Sequence, residues 1–319
     1  MTGKALVAGG AGFIGSHLCE RLLRSGQEVV CVDNLLTGRI VNIEHLMDWP
    51  GFTFVECDIV EEIPVAPDAD AVFHLASPAS PPGYVNFPIQ TMRVNSEGTR
   101  RLLEFAEETG ARFLYASTSE AYGDPLEHPQ REDYRGNVSS TGPRSMYDES
   151  KRYGEALTMA FVRSRGVQGR IVRIFNTYGP RSDPLDGRLV PNFMMQALRG
   201  EPLTVYGDGS QTRSLCYVDD TVAGLVATIS EPATVGEVIN IGNPDEHTIL
   251  EYARMIQALA GRPPAIQFTE QAVGDDPQRR RPDISKARDL LGWDPLVSLD
   301  DGLQRTFDWF RSTAGEEVP

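Results

Sequence analysis

The chain has 319 residues, 40% of them hydrophobic and 24% charged, with 45 acidic against 30 basic side chains and a net charge of −15. This length and composition predict a globular protein with one large domain or two smaller ones. So negative a surface repels nucleic acids and anionic membranes, so we expect neither as a partner, and an anionic substrate needs arginines gathered at its site.

Cysteine use and the lack of a long apolar run indicate a cytoplasmic protein. The four cysteines form no CxxC pair and no spacing typical of metal sites, so we expect buried free thiols and no metal. No apolar run approaches the ~18 residues of a membrane span. The first predicted strand begins at Lys4, which leaves no room for a signal peptide.

The first half of the chain alternates predicted strands with predicted helices. Short runs rich in Val, Ile, Leu and Phe predict strands at residues 4–8, 28–33, 52–57, 71–75, 112–117 and 169–174. Longer periodic segments predict helices at 16–25, 90–109 and 145–165. This alternation indicates an α/β fold, a Rossmann-type doubly wound parallel sheet with helices on both faces.

Beyond residue 175, proline and glycine become frequent and the pattern loosens. Helices are predicted at 190–198, 219–230 and 248–260. We expect residues 1–175 to form the sheet domain. Residues 176–312 should form mainly a smaller C-terminal mixed α/β lobe, with some segments returning to the main sheet, and residues 313–319 a frayed tail.

A glycine-rich loop follows the first strand and opens a helix. Gly9, Gly12 and Gly15 fit the GxxGxxG pattern, in which glycine permits a tight turn, close approach of a pyrophosphate and close packing of helix on strand. The N–H groups at the helix start, at Phe13 and Ile14, suit phosphate oxygens. The domain at 1–175 is therefore predicted to bind a dinucleotide.

Two aspartates end the second and third strands. Asp33 is placed to bind the ribose hydroxyls and would repel a 2′-phosphate, so NAD is favoured over NADP even with Arg39 nearby. Asp58 suits either a contact to the adenine amine or a simple strand-end cap, and the pattern leaves both open.

Tyr147 and Lys151, four residues apart, share one face of the predicted helix 145–165. A phenol has a pKa near ~10, and a nearby ammonium lowers it by roughly 1–3 units, so such a tyrosine can take a proton from an alcohol as hydride leaves the same carbon. Thr118 and Glu120 follow the fifth strand, where Thr118 would polarise the same oxygen and Glu120 would transfer a second proton. The alternative for Tyr147 and Lys151 is a solvated pair on a helix surface, and the alternative for Thr118 is a strand-end cap.

Together these motifs resemble those of the extended short-chain dehydrogenase/reductases, and among them the UDP-glucuronate decarboxylases (UDP-xylose synthases). The resemblance runs in order over nearly the whole chain and is most specific at 74–82 and 142–151. Its stretches are 9–17, 33–34 with 37–38, 74–82, 116–125, 142–152, 173–181, 186–188, 202–213, 242–244, 275–283 and 291–295. Departures from the family pattern at Ala8, Ala121, 139–141 and Met146 remove no proton-transfer group.

The resemblance implies the functional residues and the assembly. Catalysis would fall to Thr118, Tyr147 and Lys151, with Glu120 as an additional acid/base. NAD would be held by Gly9, Gly12, Phe13, Ile14, Gly15, Asp33, Asn34, Thr37, Gly38, Asp58, Leu75, Ser77, Tyr147, Lys151 and Thr177. The UDP-sugar would contact Pro81, Tyr84, Glu120, Asn176, Arg188, Tyr206, Gln211, Arg213 and Arg280, with the 78–84 loop beside its carboxylate. A homodimer through two helices of each subunit is also implied.

The implied reaction is decarboxylation of UDP-glucuronate to UDP-xylose with internal recycling of NADH. Tyr147 would take the C4 hydroxyl proton, the carboxylate β to the new ketone would leave as carbon dioxide, and the ketone would then be reduced. A 4,6-dehydratase typically carries Asp-Glu where this chain has Ser119-Glu120, and a 4-epimerase has no use for a carboxylate at Glu120. A non-catalytic NAD-binding regulator would tend to lose Tyr147 or Lys151.

Overall fold

The computed structural model describes residues 3–313 except 64, 65, 67, 262–264 and 271–278. The family-like stretch at 275–278 and the tail at 314–319, for which a frayed end was expected, lie outside the described residues. Within this range no helix is long and apolar enough to cross a membrane.

The central feature of the fold is a parallel sheet of seven strands. The described strands in chain order are β1 (Lys4–Ala8), β2 (Glu28–Asp33), β3 (Phe52–Glu56), β4 (Ala71–His74), β5 (Arg112–Thr118), β6 (Gly169–Ile174), β7 (Thr177–Tyr178), β8 (Leu203–Tyr206), β9 (Thr212–Ser214), β10 (Cys216–Tyr217), β11 (Val238–Ile241), β12 (Glu246–Thr248) and β13 (Ile266–Thr269). The sheet has the order β11-β6-β5-β4-β1-β2-β3, which confirms the predicted Rossmann-type fold.

Helices cover both faces of this sheet. In chain order the described helices are α1 (Phe13–Arg24), α2 (Pro81–Asn86), α3 (Pro88–Arg93), α4 (Thr99–Thr109), α5 (Ser145–Arg165), α6 (Leu189–Arg199), α7 (Val218–Ser230), α8 (Ile249–Leu259), α9 (Ser285–Leu291) and α10 (Leu299–Thr313). The helix predicted at 145–165 is confirmed at both ends. It stops where Gly166 takes the left-handed conformation, with φ of +71°.

The inner strands are apolar on both faces because both faces are covered. Leu6 and Val72 pack with Leu102 of α4 in one core, whereas Val7 and Phe73 belong to the other. Side chains alternate across a strand, so neighbouring residues of β1 enter different cores. This double burial explains the nearly continuous Val, Leu and Phe runs in the sequence.

The predicted helix at 90–109 is interrupted. It consists of α3, a π turn at Val94–Gly98 and α4. A π turn inserts one residue into the helical repeat and turns side chains that would otherwise follow the regular pattern. Here Asn95 becomes fully buried.

The second half adds a small mixed lobe and completes the sheet. Beyond residue 175, β11 pairs with β6 in parallel register. The lobe contains a parallel pair, β8 with β13, and an antiparallel pair, β9 with β12. Helix α8 begins with a capping box between Thr248 and Glu251. The sequence did not predict α9, α10 or the short strands of this lobe.

The strand order places a binding crevice beside β1. From β1 the chain adds β2 and β3 on one side of the sheet and then β4, β5 and β6 on the other. The connections that follow β1 and β4 therefore run to opposite sides, which leaves a crevice between them. Ligands in open parallel sheets bind at such a switch point, beyond the carboxyl ends of the strands.

Candidate active site

The loop after β1 presses its glycines against backbone on two sides. Gly9 has φ of +82°, and a Cβ on it would lie 2.5 Å from the backbone nitrogen of Ala76. A Cβ on Gly15 would lie 2.1 Å from the carbonyl oxygen of Gly9. A Cβ at either position would overlap backbone atoms, and at Gly9 the positive φ also favours glycine.

This loop opens directly into α1. Gly12 is the N-cap of the helix, and α1 begins at Phe13. The first N–H groups of a helix, here those of Phe13, Ile14 and Gly15, have no partner within the helix. They point out of the helix start together with the positive end of its dipole, an arrangement suited to a phosphate.

Asp33, at the end of β2, is buried against the glycine loop. Its Oδ2 accepts a hydrogen bond of 3.0 Å from the Ala11 N–H, and its Oδ1 accepts one of 2.9 Å from the Leu35 N–H. Burial raises the pKa of Asp33, and these two hydrogen bonds oppose the shift. A Cβ on Gly38 would lie 2.5 Å from Oδ1, so glycine there allows the next loop to cross the carboxylate.

An open cleft lies at the carboxyl ends of β1 to β4. Its walls contain many of the residues predicted to bind the dinucleotide: Gly9, Gly12, Asp33, Asn34, Thr37, Gly38, Asp58, Leu75 and Ser77. Gln90 and Arg93 of α3 also line it, and the sequence had not singled them out.

Asp58 uses both carboxylate oxygens within the protein. Its Oδ1 accepts a hydrogen bond of 2.9 Å from the Val60 N–H, and its Oδ2 accepts one of 3.1 Å from the Asn34 amide.

Thr118, Tyr147 and Lys151 come together at the carboxyl end of β5. The side chains of Tyr147 and Lys151 are buried, with exposed fractions of 5% and 3%. The Lys151 ammonium donates a hydrogen bond to the carbonyl oxygen of Ala116, 2.8 Å away, and lies 5.9 Å from the centre of the Tyr147 ring. The Thr118 side chain acts on the Tyr147 phenol and lowers its pKa.

The expectation that Lys151 lowers the pKa of Tyr147 is wrong for this structure. Burial raises the pKa of the phenol well above its usual value, and Thr118 and Arg188 offset only part of this rise. Burial also lowers the pKa of Lys151 to about 7, against the attraction of Glu155. The physical reason is that both groups are removed from water and the ammonium is directed at Ala116.

Glu120 is clamped between two arginines. The Arg280 guanidinium places Nη1 and Nη2 at 2.6 and 2.8 Å from the two carboxylate oxygens, and Arg144 places Nη2 at 2.7 Å from Oε2. Burial disfavours the charge on Glu120, but Arg280, Arg144 and Arg213 outweigh it and lower the pKa of the carboxyl. Glu120 is therefore ionised and holds no proton to donate, which removes half of its expected acid/base role.

Arg188 and Tyr84 connect the segment after β4 to this centre. Arg188 donates a hydrogen bond from Nη2 to the carbonyl oxygen of Ala79, at 2.7 Å. The ring of Tyr84 stacks on the ring of Tyr147. The structure thus brings Arg188, Tyr84 and Tyr147 to one wall of the site.

The expected loop at 78–84 is partly helical. Helix α2 begins at Pro81, and the Ser80 hydroxyl caps it by accepting a hydrogen bond of 3.2 Å from the Gly83 N–H. Proline is well suited to a first helical position, because the missing N–H has no partner there in any case. A run of prolines that looked like a rigid loop is therefore a helix start.

The remaining predicted substrate residues belong to the second half of the chain. Arg213 of β9 is buried and acts electrostatically on Glu120. Gln211 donates a weak hydrogen bond of 3.4 Å to the backbone of Tyr206, whose side chain is exposed. Asn176 lies just beyond the end of β6 and is half-buried.

Thr177 serves the interior of the fold. Its hydroxyl donates to the carbonyl oxygen of Phe175 at 3.0 Å and shares a hydrogen bond of 3.0 Å with the Thr221 hydroxyl. These two bonds place the hydroxyl between β7 and α7, and the contact of Thr177 with the cofactor stays a prediction.

Two polar residues of the site, the partly buried Arg144 and the buried Asn95, escaped the sequence analysis. Arg144, which pairs with Glu120, lies three positions before Tyr147 inside the family-like stretch 142–152, so that stretch held a signal. Asn95 donates from its amide to the hydroxyls of Ser77 and Ser150, at 3.0 and 3.1 Å. The amphipathic pattern around Asn95 continues without a break, so it gave no sign of a π turn.

Comparison with known proteins identifies a family and several similar enzymes. Residues 5–242 match the NAD dependent epimerase/dehydratase family. The UDP-glucuronic acid decarboxylase 1 of Danio rerio is 51% identical over 307 residues, which is 96% of this chain and 72% of that protein. The UDP-glucuronic acid decarboxylase 6 of Arabidopsis thaliana is 47% identical over 313 residues, or 98% of this chain and 90% of that protein.

A solved structure shares the fold closely. The UDP-glucuronic acid 4-epimerase from Bacillus cereus, in complex with UDP-glucuronic acid and NAD, superposes with a TM-score of 0.86 at 33% identity, covering 97% of this chain and 99% of that one. The chain is therefore similar both to curated decarboxylases and to a solved 4-epimerase. The resemblance found in the sequence is confirmed, and the chain belongs to the NAD dependent epimerase/dehydratase family.

Proposed function

We propose that the protein converts UDP-glucuronate to UDP-xylose and carbon dioxide, with NAD as a tightly held cofactor. The observation that carries the proposal is the pairing of Glu120 with Arg280 and Arg144 beside Tyr147. Such a cluster gives an acidic protein a local site for an anionic sugar. Identity of 51% to a curated decarboxylase supports this reaction over others of the family.

The residues of the cleft fit NAD. The glycine loop leaves room that a Cβ would fill, and the start of α1 supplies N–H donors for the pyrophosphate. The buried Asp33 suits the ribose hydroxyls and would repel a 2′-phosphate. When bound, NAD supplies a reversible hydride acceptor, so the net reaction needs no external reductant.

Thr118 and Tyr147 would act on the oxygen at C4 of the sugar. Tyr147, acting from its phenolate form, takes the proton of this oxygen as hydride leaves C4 and returns it when the ketone is reduced, and the Thr118 hydroxyl donates a hydrogen bond to the same oxygen. Both hydroxyls then stabilise the negative charge that develops there when the carboxylate leaves. Lys151 holds β5 through the Ala116 carbonyl oxygen and places its amine 5.9 Å from the centre of the Tyr147 ring.

Loss of the carboxylate follows from the position of the ketone. A ketone at C4 is β to the carboxylate on C5, so the C5–C6 bond breaks with its electron pair delocalised into an enolate. Arg280 Nε is buried and has no hydrogen-bond partner among the described residues, so this arginine can bind an oxygen of the substrate. Because Glu120 is ionised, we propose that it orients a water that protonates C5.

We also propose a cytoplasmic homodimer with a dinucleotide-binding part at 1–175 and a mainly substrate-binding part at 176–312. Helices α3 and α5 pack together, and Ile89, Met92 and Tyr153 on them are exposed apolar side chains, as is Val85 of α2. This face supports association through two helices of each subunit. The four cysteines are buried and unpaired, which supports a reducing compartment.

The test is incubation of the purified protein with UDP-glucuronate and NAD. We expect carbon dioxide and a UDP-pentose in equal amounts, with no lasting absorbance of NADH. Accumulating NADH would mean release at the 4-keto stage. The second candidate is 4-epimerisation of the same substrate, since a solved 4-epimerase shares the fold. UDP-galacturonate without carbon dioxide would establish that reaction and reject decarboxylation.

A further inference from the structure

The segment 279–283, which carries Arg280 into the site, belongs to no helix or named strand. Within the described part of the chain, its backbone meets other structure through an isolated parallel bridge between Gln130 and Pro282. An arginine on such a segment is positioned by the hydrogen bonds that its neighbours make. Those bonds therefore decide where the guanidinium of Arg280 lies.

Gln130 makes most of these bonds. Its backbone N–H donates to the Arg281 carbonyl oxygen at 2.9 Å, and its own carbonyl oxygen accepts from the Asp283 N–H at 2.8 Å. Its side-chain Oε1 accepts from the Arg281 N–H at 2.8 Å, and its Nε2 donates to the Glu127 carbonyl oxygen at 2.8 Å. Gln130 has an exposed fraction of 0%, so water does not compete for these bonds.

Asn240 ties this arrangement to the central sheet. Its amide Nδ2 donates to the carbonyl oxygens of Gln130 and Asp283, at 3.0 and 3.1 Å. Its Oδ1 accepts from the Tyr122 hydroxyl at 2.8 Å. Because Asn240 lies in β11, the segment 279–283 is held against a strand of the seven-stranded sheet.

We infer that Gln130 is a positioning residue for Arg280, the arginine that pairs with Glu120. The Arg281 N–H belongs to the peptide group that joins it to Arg280, so Oε1 of Gln130 fixes the peptide plane next to the Cα of Arg280. A glutamine is required because one end of the side chain must accept and the other must donate. The inference rests on the proposed function, in which Arg280 binds the substrate.

The test compares Gln130→Met with a matched control, Gln196→Met. Gln196 also uses both ends of its amide, accepting from the Thr204 N–H and donating to the Thr204 hydroxyl, each at 3.0 Å, but it lies on α6. We expect Gln130→Met to lower kcat/KM for UDP-glucuronate roughly 10-fold or more, and Gln196→Met to change it less than about 2-fold. The Kd of NAD should stay the same in both variants.

A double-mutant cycle separates positioning from a general loss of structure. If Gln130 acts through Arg280, Gln130→Met should lower kcat/KM by less than about 2-fold when introduced into the Arg280→Met variant. Equal factors in the two backgrounds would overturn the inference. Conversion of UDP-glucuronate is followed in each variant with NAD bound.

Amide hydrogen exchange gives a readout that does not depend on the reaction. We expect the amides of Arg281 and Asp283 to exchange faster in Gln130→Met and to be unchanged in Gln196→Met. Unchanged exchange at these amides would also overturn the inference. If the wild-type protein released no carbon dioxide, the proposed function would fail, while the exchange data would still decide whether Gln130 holds this segment.

Discussion

The aromatic rings of Tyr84 and Tyr147 stack, with centroids 5.0 Å apart and planes inclined by 15°. Tyr84 lies on the short helix α2 and Tyr147 on α5, so the phenol of Tyr147 is held between two helices. Since the ammonium of Lys151 is directed at a carbonyl oxygen, the ring contact is the closer constraint on the orientation of the phenol. An aromatic pair contributes about 0.5–1.5 kcal/mol beyond burial.

Replacement of Tyr84 should therefore affect turnover through its ring. We expect Tyr84→Leu to lower kcat by a factor of about 2 to 10, because the stack is lost, and Tyr84→Phe to stay near wild type. Steady-state kinetics with UDP-glucuronate measure both. An equal loss in the two variants would show that the Tyr84 hydroxyl, and not the stack, is what the reaction needs.

Glu120→Gln should leave Arg280 and Arg144 without their buried counter-charge. Breaking a buried ion pair by removing one partner costs about 3–5 kcal/mol, so we expect a lower free energy of unfolding. UDP-glucuronate should raise the Tm of this variant more than it raises that of the wild type, because its carboxylate can take the place of Glu120. The control is UDP-glucose, which lacks the carboxylate. Equal stabilisation by the two ligands would contradict the placement of the carboxylate at these arginines.

Asp33→Asn should weaken the preference for NAD over NADP. The amide keeps an acceptor for the Ala11 or Leu35 N–H but no longer repels a 2′-phosphate. We expect the Kd values of the two cofactors to approach each other, as measured by calorimetry. Asp58→Asn is the control, and its ratio of Kd values should match that of the wild type. An unchanged ratio in Asp33→Asn would place the ribose elsewhere.

His17 should make the protein less stable in acid. Burial and then the Arg181 charge lower the pKa of His17 to about 4, while the Pro180 carbonyl, 2.9 Å from Nε2, and Glu20 oppose the shift. Asp219 also faces the ring, at 3.9 Å. Between pH 6.5 and 4 the unfolded chain binds a proton that the folded protein does not. The free energy of unfolding therefore decreases, by up to about 3 kcal/mol, as the pH is lowered through this range.

The His17→Gln variant isolates this effect, because glutamine keeps a donor but does not titrate. Its unfolding free energy relative to that of the wild type should rise as the pH falls from 7 to 4. Urea denaturation at four or more pH values measures the difference. A difference that stays constant across this range would show that His17 keeps an ordinary pKa.

The sequence alone was sufficient for local features of the fold. Strands β1 to β6 and helix α5 could be predicted because their apolar runs and periodicity are contained within each segment. Strand β11 could not, since four residues at Val238–Ile241 join the sheet only through pairing with β6. The π turn around Asn95 likewise depends on contacts with Ser77 and Ser150.

The site likewise combines features that one short segment determines with features that depend on contacts between distant segments. The glycine loop and the Tyr147–Lys151 pair are short motifs, and the sequence placed them correctly on a loop and a helix. The contact between Glu120 and Arg280 spans 160 residues, so only tertiary structure reveals that the carboxyl is ionised. The raised pKa of Tyr147 also depends on burial by other elements, and helical spacing alone pointed in the wrong direction.

The central claim is that oxidation at C4, loss of the carboxylate and reduction at C4 occur within one bound molecule. UDP-glucuronate carrying deuterium at C4 tests it most directly, with the product examined by nuclear magnetic resonance and carbon dioxide measured in parallel. We expect UDP-xylose that retains deuterium at C4, with one carbon dioxide for each product molecule. A product that has lost the deuterium, or that still carries the carboxylate, would contradict the account.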